Sequence, residues 1–315
     1  MISRKDDKAI AAYACIVQLE ADRERSGVAG RINPMTYQII LVHVDRSAEC
    51  RSRLGLGIGL ARDFAARLVG VYVDDAPEIA PSVAALLPSD TVERYMRNAL
   101  EGQRAAEDGF RQAAAAAGVT DVEWRAPAGL PIDAAVAHAR CADLTIVGQP
   151  NPAEAGWSFA AQLVAAVLLE GGRPVLVVPC VGAPEIIGTN VLVAWDGGRE
   201  ASRALADALP ILARARQVTV ACLDPSASAR GADALARERL LAYLHRHGVS
   251  ARIESDDLGE GDIAVGDWLL SRVADLGGDL IVMGGYGHPR WRERVLGGAT
   301  RTLLSTMTVP VLMAH

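Results

Sequence analysis

The sequence predicts two tandem copies of a doubly wound, parallel α/β domain. The chain has 315 residues, about twice the length of a typical domain. From Tyr37 onward, strand-like and helix-like segments alternate, which is typical of βαβ units built on a parallel sheet. Several of these segments recur further along the chain in the same order. Together the three observations indicate a duplicated α/β fold.

The first copy opens with residues 38–44, a nearly continuous run of β-branched and other apolar residues. Such a run is typical of a parallel strand that helices cover on both faces. After this strand we expect helices at about 52–68, 90–117 and 131–140, and further strands at about 68–73, 121–126, 143–147 and 175–178.

Matching segments define the duplication. Two pairs are related by an offset of 136 residues, namely 143–148 with 279–284 and 173–178 with 309–314. The first strands, 40–45 and 191–196, match at an offset of 151. The difference of 15 places an insertion in the first copy, around residues 74–98.

We therefore divide the chain into two domains and an extension. The first domain covers residues 35–181, the second covers 188–315, and they join near 180–188. Residues 1–34 end in a breaker-rich stretch and lie outside both repeats, so we interpret them as an extension outside the folded core.

Composition and charge exclude several classes of function. Lys and Arg number 32 against 38 Asp and Glu, and the net charge of −6 argues against a general nucleic-acid binder. The five cysteines, Cys15, Cys50, Cys141, Cys180 and Cys222, have no metal-ligand spacing. We find no apolar run long enough for a membrane span and no clean signal peptide. A cytoplasmic protein with reduced thiols, no metal site and no membrane partner is expected.

A glycine-rich segment carries the strongest functional signal. Gly284, Gly287 and Gly297 lie between a buried-type strand and an amphipathic helix. Open parallel sheets bind ligands beyond the carboxyl ends of their strands, where glycine lets backbone N–H groups approach a phosphate. The alternative is a strand-to-helix turn that needs glycine for structural reasons alone. No catalytic constellation is recognisable, so we expect at most weak ATPase activity.

The second half resembles the universal stress protein family, whose nucleotide-binding members carry Gly-x2-Gly-x9-Gly-(Ser/Thr). The resemblance extends over about residues 36–315 as two copies and implies a five-stranded parallel sheet in each. It implies ATP, ADP or AMP as the ligand, with Mg accompanying ATP. Asp196 would lie near adenine or ribose, the Cys222 backbone near the base, and the three glycines near ribose and phosphates.

This sequence departs from the family pattern. Gly298 stands where Ser or Thr would bond a phosphate, and the nearest hydroxyl is on Thr300. Loss of one hydrogen bond to a charged group could weaken affinity about tenfold or more. In the first copy, Asn151 replaces the second glycine and Ala161 the third, so we expect a degenerate site there, although Asp45 persists.

Three functions follow from these features. The first is a stress-response protein that binds an adenine nucleotide in its second domain and acts as a regulator, with a protein client. The second is an interaction module that binds no nucleotide. The third is an adenine-nucleotide enzyme such as an adenylating ligase, for which Asp196-Gly-Gly-Arg199 lacks the expected serine.

The last strand of each copy predicts how the copies meet. Residues 175–178 and 311–313 are apolar, and each should lie at a sheet edge, where unpaired backbone groups are a liability. We expect them to pair antiparallel across a pseudo-twofold axis, as in dimers of the single-domain proteins that the chain resembles. The chain would then be its own dimer, which leaves a further homodimer open.

Overall fold

Within the described part of the first copy, five strands and four helices alternate. They are β1 (Ile39–Val44), α1 (Cys50–Phe64), β2 (Arg67–Tyr72), α2 (Ser89–Ala116), β3 (Val122–Arg125), α3 (Pro131–Ala139), β4 (Leu144–Gly148), α4 (Trp157–Glu170) and β5 (Val175–Val178). The computed structural model describes residues 36–73, 86–127, 129–153, 156–223, 230–256, 265–286 and 298–315. The proposed extension, residues 1–34, lies outside these ranges.

The second copy repeats the same order. Its elements are β6 (Asn190–Trp195), α5 (Arg199–Leu212), β7 (Gln217–Leu223), α6 (Arg230–Arg246), β8 (Ala251–Asp256), α7 (Val265–Asp275), β9 (Leu280–Gly284), α8 (Gly298–Thr306) and β10 (Val311–Ala314). Helix α2 has 28 residues and its counterpart α6 has 17. The extra length of α2 agrees with an insertion in the first copy.

All ten strands form one sheet. Their order is β3-β2-β1-β4-β5-β10-β9-β6-β7-β8, and neighbours within each copy are parallel. The two predicted five-stranded sheets therefore join edge to edge. Because each edge strand supplies the hydrogen-bonding partners that the other lacks, neither apolar edge stays open.

Strands β5 and β10 form the seam between the copies, and they run antiparallel as predicted. Leu176 faces Leu312, which is its counterpart at the offset of 136 residues. On either side, Val177 pairs with Val311 and Val175 with Met313. Exchanging the two copies leaves this pairing unchanged. The pairing therefore has a pseudo-twofold axis that passes between Leu176 and Leu312.

Helices cover both faces of the sheet. On one face, buried residues of α3, α4, α7 and α8 pack with alternate residues of the strands into a cluster that spans both copies. Helix α1 packs on the other face, where Gly57 lies against Val42 and Ile146. A side chain at Gly57 would collide with Val42, so packing explains this glycine. No helix in the described ranges is long and apolar enough to cross a bilayer.

A buried glutamine also ties the two copies together. Gln149 follows β4, is 8% exposed, and donates from Nε2 to the Leu304 carbonyl of α8 at 3.0 Å. Its Oε1 accepts from the Cys180 N–H at 2.9 Å. The Leu304 carbonyl is one of the last four in its helix, which have no partner within the helix. Gln149 therefore satisfies a helix end of the second copy from within the first.

We expect Gln149→Leu to lower the free energy of unfolding by about 2 kcal/mol, because the Leu304 carbonyl and the Cys180 N–H would be buried without partners. Urea denaturation measures the change. The control is Gln162→Leu in α4, an exposed residue whose one hydrogen bond within the described residues is to Ser158; this change should cost less than about 0.5 kcal/mol. Equal effects of the two substitutions would contradict the inter-copy role of Gln149.

Candidate functional site

The carboxyl ends of three neighbouring strands meet in the second copy. Strand β6 lies between β9 and β7, with Val193 beside Val282 and Trp195 beside Cys222. From β6 the chain continues to β7 on one side and later returns to β9 on the other. The crevice between β6 and β9 is therefore the topological switch point, where doubly wound sheets bind ligands.

Asp196 stands directly after β6 at this crevice. Its side chain is exposed, and its Oδ1 accepts a hydrogen bond from the Gly198 N–H at 2.8 Å. Gly197 has a φ of +75°, a left-handed conformation that favours glycine, and α5 then begins at Arg199. The turn holds Asp196 by one oxygen, and Oδ2 has no hydrogen bond within the described ranges.

Gly284 closes the other side of the crevice at the end of β9. A Cβ added there would lie 2.6 Å from the Ala201 nitrogen and 2.7 Å from the Glu200 carbonyl carbon. Only glycine lets the first turn of α5 approach β9 this closely. Gly284 thus sets the position of the helix that follows Asp196.

Of the remaining predicted ligand-binding residues, some lie within the described structure and others lie outside it. Cys222 is 7% exposed in β7, which leaves its backbone as the group it can offer a ligand. Gly298 is the first residue of α8, and Thr300 is 4% exposed in the first turn of that helix. Gly287 and Gly297 lie outside the described residues. The structure therefore brings Asp196, Cys222 and Gly284 to one edge of the sheet.

The corresponding crevice of the first copy contains an arginine. Arg53 of α1 is 3% exposed; its Nε donates to the His43 carbonyl at 2.6 Å and its Nη2 lies 2.9 Å from Asp45 Oδ1. The same oxygen of Asp45 accepts from the Ser47 hydroxyl at 2.6 Å. Burial opposes ionisation of Asp45, but Arg53 and these hydrogen bonds together hold the pKa of Asp45 below its ordinary value.

Sequence reasoning missed Arg53, although a signal was present. Arg53 corresponds to Ala204 at the offset of 151 residues that relates Asp45 to Asp196. An arginine on the buried face of a helix, where the other copy has alanine, indicates a change in what fills the space beneath. Arg53 packs closely against Gly148, because a Cβ at position 148 would collide with the Arg53 guanidinium.

A cavity of about 440 Å³ is lined by Arg53 and its neighbours in the first copy. Its polar lining includes Asp45, Glu49, Arg53 and Asn151, and its apolar lining includes Val73, Trp157, Phe159 and Leu163. Helix α4 begins at Trp157 and includes Ala161, the position of the third glycine. A helical turn therefore stands where the second copy has the end of its glycine segment.

Two doubly wound domains, joined edge to edge with matching switch-point crevices, define a tandem α/β protein that forms its own dimer. The universal stress protein family model matches residues 36–179 and 189–315. The chain belongs to this family, with two such domains in tandem.

Solved structures show the same fold. A universal stress protein from Archaeoglobus fulgidus DSM 4304 is 17% identical, with 89% of this chain and 97% of that chain covered and a TM-score of 0.66. A putative universal stress protein from Pseudomonas aeruginosa UCBPP-PA14 is 16% identical, with 89% and 94% covered and a TM-score of 0.51.

A universal stress protein solved in complex with cAMP is 23% identical, with 46% of this chain and 98% of that chain covered and a TM-score of 0.32. The bound cAMP is a property of that protein. Among curated proteins, no sequence shows a significant match to this chain.

Proposed function

We propose that the second copy binds an adenine nucleotide and that the chain acts as a nucleotide-responsive regulator in the stress response. One observation carries this proposal. The carboxylate at the switch point of the second copy is free to accept hydrogen bonds from a ligand, whereas its counterpart in the first copy is held in an ion pair. Asp196 is exposed and bonded through one oxygen, and the position that corresponds to Arg53 is Ala204. Asp45 is ion-paired with Arg53.

The proposed contacts follow the crevice from base to phosphate. Asp196 would accept hydrogen bonds from ribose hydroxyls or adenine, with the Cys222 backbone beside the base. Gly284, Gly287, Gly297, Gly298 and Thr300 would surround the ribose and phosphates, where the N-terminal end of α8 favours negative charge. The described residues include no group of three His, Cys, Asp or Glu side chains suited to a metal ion. Any Mg²⁺ bound with ATP would therefore be held mainly by the phosphates.

We expect isothermal titration calorimetry with ATP, ADP and AMP to give one site per chain with micromolar affinity. Asp196→Asn should weaken binding about tenfold or more, because it removes the charge but keeps an oxygen for the Gly198 N–H. Gly287→Val should abolish binding by blocking the approach of the phosphate. The matched control, Asp45→Asn in the first copy, should leave the affinity unchanged.

Two outcomes would contradict this proposal. Two equivalent sites per chain would show that Arg53 does not exclude a nucleotide from the first copy. No saturable binding of any of the three nucleotides would favour an interaction module instead.

A further inference from the structure

We infer that the first-copy cavity is a second ligand site, which binds an organic cation, a protonated amine with a flat apolar body. A volume of about 440 Å³ lies within the range of small-molecule sites, and the lining combines apolar side chains with a few polar groups, as is typical of such sites. The inference does not depend on nucleotide binding in the second copy, because it concerns different residues of a different domain.

Glu49 is the first argument for a cation. Among the described residues, its buried Oε2 has no hydrogen-bond partner, and its Oε1 accepts one long bond of 3.4 Å from Asn151 Nδ2. Glu49 directly precedes α1, but its side chain makes no capping hydrogen bond to that helix. A buried carboxylate oxygen without a donor is costly, and an N–H group of a ligand would satisfy it.

The charges around the cavity favour the same ligand. Arg53 is ion-paired with Asp45, although its Nη2 makes no hydrogen bond within the described residues, and His43 Nε2 lies 2.7 Å from the Val73 carbonyl. The Arg46 side chain runs towards α2, where its Cδ would lie 3.0 Å from a Cβ at Gly102. Glu49 forms no ion pair with another described residue. Its negative charge disfavours a phosphate and favours a cation.

Two aromatic side chains also line the cavity. Trp157, which is 49% exposed, and the half-buried Phe159 line the cavity from the start of α4. Aromatic faces attract organic cations, and an aromatic wall facing a carboxylate is a common arrangement for binding them. The flat body of the ligand would lie against this wall with its ammonium group towards Glu49.

The second copy provides a matched comparison. Glu200 corresponds to Glu49 at the offset of 151 residues, but it accepts two hydrogen bonds from Arg199, at 2.8 and 3.0 Å. The same residue type is thus neutralised in one copy and left without a donor on Oε2 in the other. The cation site is specific to the first copy.

The test compares tryptamine with indole-3-acetate, which share an indole ring and carry opposite charges. Calorimetry and ligand-observed NMR at pH 7 should show one tryptamine site per chain with a submillimolar Kd, and binding of indole-3-acetate at least tenfold weaker. Glu49→Gln should weaken tryptamine binding at least tenfold. Glu200→Gln should leave it unchanged.

A folding check and a second variant show whether a loss of binding reflects the cavity or an unfolded domain. Thermal unfolding of Glu49→Gln checks that the domain remains folded, which we expect because Glu49 makes no capping bond. Trp157→Leu, at an exposed position, should weaken tryptamine binding at least fivefold if Glu49→Gln proves unstable. Failure of tryptamine to bind, equal binding of the two indoles, or full tryptamine affinity in a folded Glu49→Gln protein would overturn the inference. Repeating the titration in Asp196→Asn separates this result from that for the nucleotide site.

Discussion

Replacing Arg53 by alanine is expected to lower the free energy of unfolding by about 3–5 kcal/mol. Arg53 is 3% exposed; its guanidinium forms an ion pair with the Asp45 carboxylate and donates a hydrogen bond to the His43 carbonyl. The substitution removes the cation but leaves the carboxylate, whose side chain is only 19% exposed. A buried charge without its partner costs far more than an exposed one.

The loss in Arg53→Ala should depend on pH in a defined direction. The pKa of Asp45 is lowered in the folded protein, so its contribution is present above the ordinary carboxyl pKa and is lost as pH falls through the folded value. Without Arg53, burial should raise the pKa of Asp45 instead, and protonation would relieve the variant. The destabilisation should therefore be largest near pH 7 and should shrink as pH falls, beginning above the ordinary carboxyl pKa of about 4.

Two variants separate the buried ion pair from a general loss of charge. Arg62→Ala removes an exposed arginine from the same helix. The Nε of Arg62 lies 3.6 Å from Asp63 Oδ1, and its loss should cost less than about 1 kcal/mol. Adding Asp45→Asn to Arg53→Ala should recover part of the lost stability at pH 7, because no buried charge remains. Chemical denaturation at both pH values measures these effects. Equal losses in Arg53→Ala and Arg62→Ala would disprove the structural role of the pair.

Gly284→Ala should cost about 3 kcal/mol and disturb the crevice for which we propose nucleotide binding. The new methyl group would lie 2.6 Å from the Ala201 nitrogen and 2.7 Å from the Glu200 carbonyl carbon, both backbone atoms. Because a helix backbone cannot rotate aside as a side chain can, α5 must shift as a unit, and overpacking of this kind is destabilising. The shift would also move the turn that holds Asp196, so nucleotide affinity should fall with stability.

Gly109→Ala is the matched control for Gly284→Ala. Gly109 lies within α2, and a Cβ added there meets nothing within 4 Å. Alanine in a helix interior is more favourable than glycine by about 0.5–1 kcal/mol, so this variant should be slightly more stable than the parent. Thermal and urea unfolding should give opposite signs for the two substitutions. The same sign for both would show that contact with α5 does not explain Gly284.

The two copies share a scaffold and differ in what fills the crevice. Ala204 and Arg53 occupy corresponding positions, as do Glu200 and Glu49. In the second copy, Arg199 pairs with Glu200 and Asp196 stays exposed. In the first, Arg53 pairs with Asp45 and Glu49 is left without a donor on Oε2. Duplication preserved the strand order while side-chain changes gave the two crevices different chemistry.

The sequence alone determined the architecture of this protein. Strand runs such as 38–44, the recurrence of 143–148 as 279–284, and the alternation with helices are local patterns that depend on neighbouring residues. The antiparallel pairing of β5 and β10 was also predictable, because apolar edge strands need partners and a duplicated chain carries two of them. The roles of Gly287 and Gly297 remain predictions.

Only the tertiary structure decided the chemistry of the crevices. The sequence indicated Gly284 as a place where a ligand approaches, but the fold shows that the start of α5 already requires glycine there. Sequence reasoning gave no account of Arg53, which lies in α1 and contacts both Asp45 and the end of β4. The contact with Gly148 joins residues far apart in the chain, and the geometry of both contacts depends on how closely helices pack on the sheet. Local sequence patterns do not specify that distance, so the ion pair, the cavity and the unsatisfied Glu49 oxygen emerge only once the helices are in place.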